Sequence, residues 1–410
     1  MKKYGSLAKQ LFLSLWVSGA VLLYVLFAAI SWMNYTGRLA SNPSRIWDQH
    51  HLLPEAFFAM FWFSGNAALH HAAAALGIAG PPSPWLTHTL HMPISSQTPF
   101  FHLTWLYPPT MGLLALSYAA LPLPISFWVW RALYFAISAT LLRRAGLAWP
   151  AIILGLAGPA AMIDLVEGEN GTLTGGLIAS ALLLADKAPK AAGLVTAMLS
   201  IKPQIGISMI FALVQPRARV MLITAAAGFG ALALATLPLF GLHGWIWFLS
   251  HSPQNSSSLV ASPFGRIFPE AGSTTFYMAR SFGAGVRMAS ALQAISSLCA
   301  SLALWQLWRV PGRPEIPRMA VTLALTVLLV PYGYLYDLVG FSVGMAALCL
   351  TASPSRQPLY AMLWLFAGHS ATVAGLTQHI FMPVAAVLGA IIGWQELTAP
   401  HTPPHAHNPA

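Results

Sequence analysis

Apolar runs recur along almost the whole chain, separated by short polar or glycine- and proline-bearing turns. Runs of about 20 residues cross a bilayer, and shorter ones fit broken or half-inserted helices. On that pattern helices are expected near 12–33, 107–122, 126–142, 148–165, 172–186, 190–214, 219–241, 285–308, 317–332, 336–352, 358–375 and 380–396. Two long polar-aromatic segments interrupt them, 34–106 and 242–283, rich in Pro, Gly, Ser and His but poor in charge. They read as structured caps on one membrane-embedded domain, 1–396, followed by a loose tail, 397–410. The expected fold is an all-α polytopic bundle of about 10–12 spans.

Composition turns this pattern into an exclusion. Of 410 residues, 57% are hydrophobic and 7% charged, against roughly 25% charged in a soluble domain. So few charges cannot coat a water-facing surface of this size, which excludes soluble and disordered readings. Lys and Arg number 20 against 10 Asp and Glu. The cations are spread thinly beside apolar runs, so they read as topological anchors rather than a nucleic-acid surface. The amino-terminal run exceeds the ~7–15 residues of a secretory signal core and is read as an uncleaved first helix. Cys299 and Cys349 lie in apolar runs without CxxC spacing and read as core residues, with no disulfide or zinc site.

Lys2, Lys3 and Lys9 place the amino end inside, and so put the 34–106 segment outside. Arg217 and Arg219 mark an inner turn, which puts 242–283 outside too, and Arg309, Arg313 and Arg318 mark another inner turn. Strict alternation leaves a conflict, because Arg143-Arg144 and Lys187/Lys190 then fall outside. The 107–122 run reaches only ~24 Å against a ~30 Å core, and Lys202-Pro203 breaks the 190–214 run. If both are re-entrant or bent, all the cationic turns fall inside. Within the first outer segment, Glu55 to about Gly77 reads either as a span or, preferably, as a helix along the membrane surface.

Four stretches place polar groups where a structural helix gains nothing from them: Trp47-Asp48-Gln49-His50-His51 with Glu55, Glu167-Gly168-Glu169-Asn170-Gly171, Ile201-Lys202-Pro203-Gln204, and Tyr332 to Asp337. Lys202 is the most informative. A lysine inside a span is costly unless it faces water or a partner charge, and Pro203 opens the helix beside it. Such an opening is tolerated where it lines a cavity, and a cation there suits an anionic lipid head group. The plain alternative is a snorkelling interfacial lysine. Asp48 is either a general base or a solvated loop residue. Glu169 and Asn170 either bind a sugar, partner Lys202, or cap the following helix. Asp337 either lines the cavity or pairs with an arginine.

Seven of the histidines, His50, His51, His70, His71, His88, His91 and His102, crowd the first outer segment without a tight metal-binding pattern. They read as interfacial amphipathic residues. The Gly340-Phe-Ser342-Val-Gly344 match to a nucleophile elbow lies inside an apolar run, so small residues at a helix contact explain it better.

Taken in order, these features resemble glycosyltransferase family 87, enzymes of the GT-C superfamily. The resemblance rests on Leu106-Tyr107-Pro-Pro109, Gly168-Glu-Asn-Gly171 where the family usually shows Gly-Gln-Asn, and Leu184-Ala-Asp-Lys-Ala-Pro189. Ala192-Gly193-Leu194, Ile201-Lys-Pro-Gln204, Ala279-Arg280 and Tyr336-Asp337 complete it. It implies a site between the membrane and the outer segments of a bacterial cytoplasmic (inner) membrane, facing outward. The implied reaction moves a hexose, often mannose, from a polyprenyl-phosphate donor to a lipid or glycan acceptor, with inversion and without metal or cofactor. The implied base is an acid of the first outer segment. Family members carry Asp just before an aromatic run like Phe58-Ala-Met-Phe61-Trp62. This chain has Phe57 at that place, so the role passes to Asp48, then Glu55. Lys202 would hold the donor phosphate, with Gln204, Glu169, Asn170, Tyr107, Arg280 and Asp337 lining the donor site. The competing reading is a transporter or flippase of an anionic lipid-linked glycan, which would show matched broken helices in repeated halves; no such repeat is evident.

Overall fold

The computed structural model describes residues 56–69, 106–261 and 271–398. The expected first span (12–33), Asp48, Glu55 and the seven clustered histidines lie outside them. The described chain is helical, and its only pairing of extended backbone among the described residues is a single antiparallel bridge between Gly272 and Tyr334.

The helices are α1 Ala56–Leu69, α2 Pro109–Ala119, α3 Leu123–Arg144, α4 Trp149–Leu156, α5 Pro159–Glu167, α6 Gly171–Leu184 and α7 Pro189–Met198. Two single turns follow, α8 Pro203–Gly206 and α9 Ile210–Leu213, then α10 Arg219–Ala261, α11 Thr275–Ser281 and α12 Val286–Arg309. The last four are α13 Glu315–Leu329, α14 Val339–Thr351, α15 Gln357–Thr377 and α16 Met382–Thr398. Proline sits in the first turn of α2, α3, α4, α5, α7, α8 and α15. There its missing N–H costs nothing and its fixed φ favours the start of a helix.

Among the described residues, four segments, Ile125–Arg144, Pro216–Pro253, Val286–Arg309 and Gln357–Thr377, are long and apolar enough to cross a membrane. The chain is therefore an all-α polytopic membrane protein. On α12, Met288, Leu292, Ile295, Leu298, Leu302 and Trp305 are exposed at helical spacing, the stripe expected of a lipid-facing surface. Cys299, expected in the core, is exposed on this peripheral helix. The GxSxG stretch behaves as expected of small residues: Ser342 is fully buried, and Gly340 and Gly344 let α14 approach Gly175 of α6 and Ala320 of α13 closely.

Several expected spans are broken. The 148–165 run bends at Ala157-Gly158 into α4 and α5. Over its described residues the 242–283 segment is largely helical: α10 continues past a bend at Gly241, whose φ of 61° is left-handed, as far as Ala261, and α11 covers Thr275–Ser281. α1 falls inside the expected 55–77 helix and is packed into the bundle. Its Phe58 and Phe61 are buried, and Gly65 lies against Ala115 and Ala119 of α2.

The cationic turns collect at one end of the bundle. Lys187 pairs with Glu315 at 2.7 Å and lies close to Gly146, beside Arg143-Arg144. Asp186 pairs with both Arg217 and Arg318, and Arg217 donates to the carbonyl of Trp308. Arg313 lies over the Trp394 ring, and Arg356 pairs with Glu396 at 2.9 Å. Residues 189–213 form a re-entrant hairpin: α7 leaves the cationic end, the chain turns at Lys202, and α8–α9 return to Arg217 beside Asp186, so the hairpin begins and ends on the same face. The other run in the conflict holds only the 11 residues of α2, ~17 Å against a ~30 Å core, so neither run is a full span.

Candidate functional site

The opposite end of the bundle gathers three chain breaks, each with a local cause. Gly168 ends α5 at φ 71°, a left-handed position that side chains rarely tolerate, and its N–H and that of Glu169 close onto the carbonyls of Leu165 and Asp164. This αL turn points the chain from Glu169 into α6. Lys202 precedes a proline, which disfavours the helical region; at φ −148°, ψ 74° it leaves the helix. The third break is the 332–337 loop between α13 and α14, held by the Gly272–Tyr334 bridge and by bonds from Ser273 N–H to the Gly333 carbonyl and from Leu335 N–H to that of Ala271.

These breaks bring five of the expected residues together. The Lys202 ammonium, 2% exposed, lies 2.6 Å from Oδ1 of Asp337 and 3.7 Å from Oε2 of Glu169. The Tyr107 hydroxyl donates to Oε2 of Glu169 at 2.8 Å, and the Asn170 N–H approaches the same oxygen at 3.3 Å. Oδ2 of Asp337 accepts from the Tyr334 N–H, which fixes its other oxygen toward the lysine. Lys202 also lies 4.4 Å from the centre of the Tyr336 ring and 5.8 Å from that of Tyr107, at cation–π range. It is therefore a buried, partnered cation, and the snorkelling alternative is wrong for this residue.

Glu169 lies in the turn between α5 and α6, outside the candidate spans. Burial pushes its carboxyl up to about 7, while Lys202 and the Tyr107 hydroxyl draw it down and Asp337 adds to the rise. The group thus sits where a unit of pH changes its charge.

Asn170 is the most pointed feature. It occupies the N-cap position of α6 yet makes no side-chain cap bond, and both its amide atoms are buried without a partner. The cap is supplied instead by Asp164, seven residues before Gly171. Its Oδ1 accepts from Gly171 N–H at 2.6 Å, and its Oδ2 accepts from the N–H and hydroxyl of Thr172 and from Arg131 at 3.1 Å. A carboxylate on a helix N-terminus, paired with an arginine, satisfies orphan donors and complements the helix dipole. A buried amide without partners costs roughly 1–3 kcal/mol, a cost that the fold bears at Asn170.

Two expected residues stand apart. Gln204, two positions past Lys202 on α8, is half-buried and its side chain makes no hydrogen bond. Arg280 reaches back to the Ala284 carbonyl at the end of its own helix. Asp48 and Glu55 are outside the described residues. Two residues that bear on the site were not singled out in sequence, Arg131 and Thr172, which hold Asp164; Tyr336, noted there only as part of the stretch before Asp337, covers the lysine. A tyrosine beside Asp337 was visible in sequence; the Arg131 and Thr172 partnership spans separate helices and left no local mark.

The model of glycosyltransferase family 87 matches residues 105–331, more than half of the chain and all but one of the breaks' charged groups. No curated protein and no solved structure matches.

Proposed function

The chain belongs to glycosyltransferase family 87 and is a membrane glycosyltransferase; from that premise we propose that it moves a hexose, mannose being the first choice, from a polyprenyl-phosphate donor to a lipid or glycan acceptor. The observation that carries the donor assignment is the buried Lys202 ammonium at the tip of a re-entrant hairpin, with the unpartnered amide of Asn170 next to its partner Glu169. A fixed cation meets the requirement of a phosphate leaving group, whose charge grows as its bond to the sugar breaks. The Asn170 amide offers one donor pair and one acceptor, the set a sugar hydroxyl uses.

In the reaction, a carboxylate takes the proton of the acceptor hydroxyl as that oxygen attacks the anomeric carbon. The bond from that carbon to the phosphate oxygen breaks, and polyprenyl phosphate leaves with the electron pair from the opposite face, which inverts the centre. Alignment supplies most of the advantage and the base adds to it. The proposed base is Asp48, then Glu55. Tyr107 and Asp337 hold the donor side, while Gln204 and Arg280 form its edge. The 34–106 and 242–283 segments cap the single domain of residues 1–396. With the cationic end in the cytoplasm, the Lys202 end faces outward across a bacterial cytoplasmic membrane. Family membership removes the ground for the transporter alternative.

The test gives purified protein radiolabelled polyprenyl-phosphate mannose and a membrane lipid acceptor pool. Labelled product is expected from wild type and a loss of at least about 100-fold from Asp48→Asn/Glu55→Gln, the scale of a general base. Absence of transfer with every hexosyl donor offered, or full activity in the double variant, sinks the proposal.

A further inference from the structure

We propose that the cationic end of the bundle carries a second anion site, distinct from the Lys202 site, that takes the phosphate of an anionic membrane lipid. A cavity of about 330 Å³ opens there, lined among others by Asp186, Arg217, Met221, Trp308 and Gly312. It is separated from the donor end by the length of α6. Glu169 and Asn170 precede that helix and Asp186 follows it, and its 14 residues span ~21 Å at ~1.5 Å per residue.

Two guanidinium groups share a single carboxylate beside this cavity. Nε of Arg217 lies 3.5 Å from Oδ1 of Asp186, and its Nη2 donates to the Trp308 carbonyl. Nη1 of Arg318 donates to Oδ2 of Asp186. Arg318 is fully buried and stacked at 4.4 Å over the Trp308 ring, and its Nε and Nη2 have no partner. An arginine so placed keeps buried donors without a partner, which is costly unless an acceptor reaches them. Because Asp186 balances one of the two charges, the pair keeps an excess of one, and Arg309 and Arg313 add to it nearby without a carboxylate of their own. Guanidinium groups suit phosphate oxygens by their planar fork, and basic pockets between helices at the cytoplasmic surface are where anionic head groups dock. The opening lies among the ends of α6 and α12 and the start of α10.

The probes are phosphatidylglycerol and cardiolipin, phosphatidylcholine as the zwitterionic control, and inorganic phosphate as the free anion. Each is added to the full chain in detergent, with retention read by native mass spectrometry and stability by thermal melting. Retention of the anionic lipids with a raised Tm is expected. Arg217→Gln should weaken it by about tenfold or more, the worth of one charge-assisted contact. Asn170→Leu, at the other end, should leave it unchanged. A rise in Tm with inorganic phosphate that displaces the lipids assigns the site to phosphate as such, whereas a response to lipid alone assigns it to a head group. If Arg217→Gln does not fold, Arg217→Lys (charge kept, fork lost) and Ala218→Leu (cavity narrowed) replace it. Equal retention of phosphatidylcholine, or wild-type affinity in the folded variants, overturns the proposal.

Discussion

Replacing Lys202 by methionine tests the donor site most directly, and the structure shows why the single substitution misleads. Lys202 is the common partner of Glu169 and Asp337, with 2% of the lysine side chain and 2% and 6% of the two acids exposed. Removing one member of a buried charge group costs ~3–5 kcal/mol because the others are left uncompensated. Against a typical total of ~5–15 kcal/mol, Lys202→Met should lower Tm sharply, whatever it does to catalysis. Lys202→Met/Asp337→Asn separates the two effects. It removes the cation and its 2.6 Å partner together, while Glu169 keeps the Tyr107 hydroxyl. Most of the lost stability should return. The donor loses one charge-assisted hydrogen bond of ~1.5–3 kcal/mol, so kcat/KM for the polyprenyl-phosphate sugar should fall about 10- to 150-fold. Melting in detergent and initial rates over a donor series give both numbers. A double variant that folds and uses donor at the wild-type kcat/KM refutes the phosphate role of Lys202. A single variant that melts like wild type refutes the energetic argument.

Asn170→Leu should hold or raise Tm, since it replaces two unsatisfied buried atoms by an apolar group of similar shape, while transfer falls about tenfold; a large drop in Tm with normal transfer would reverse the assignment. Because the Glu169 carboxyl is pushed up to about 7, its proton is present below that value and lost above it, so a negative charge appears beside the donor phosphate as pH rises. Donor KM should therefore climb through pH 7 by at most about tenfold per unit, the ceiling for one linked proton, and Glu169→Gln should flatten the profile. Asp164→Asn strips the cap of α6 and the partner of Arg131 and should cost about 3–5 kcal/mol in melting; a negligible shift would mean that the cap is supplied elsewhere. In Gly171→Ala, the new Cβ would collide with the Tyr336 carbonyl, so about 1–3 kcal/mol and much of the transfer activity should be lost together.

The re-entrant hairpin was readable in sequence because lysine followed by proline in an apolar run is costly at any other kind of position. The cationic turns pointed the same way, since Lys187/Lys190 share a side with Arg217 and Arg219 only if 190–214 returns on itself. What no local pattern disclosed is the division of labour around α6. By sequence Asn170 was as good a cap as any. The roles separate because Gly168 turns the chain back and lets a carboxylate from the preceding helix reach the N–H groups of Gly171 and Thr172. Tyr336 was named beside Asp337 but given no role, because its ring meets Lys202 only once two breaks distant in the chain are superposed. Asp48, then Glu55, were the bases that the family resemblance implied, and the assay of the double variant decides between them and the described acids.

The hairpin at 189–213 also constrains the order of assembly. Each limb is too short to cross a ~30 Å hydrocarbon core, so neither can partition into lipid as an independent span when it is made. Its tip carries a cation whose closest partner, Asp337, is synthesised only after α10, α12 and α13. The hairpin must then settle into a bundle already largely inserted, and the donor pocket is among the last features to close. Variants that delay α13 and α14 should accumulate a protein that is membrane-integrated, protease-accessible near Lys202 and inactive, a folding defect that resembles a catalytic one.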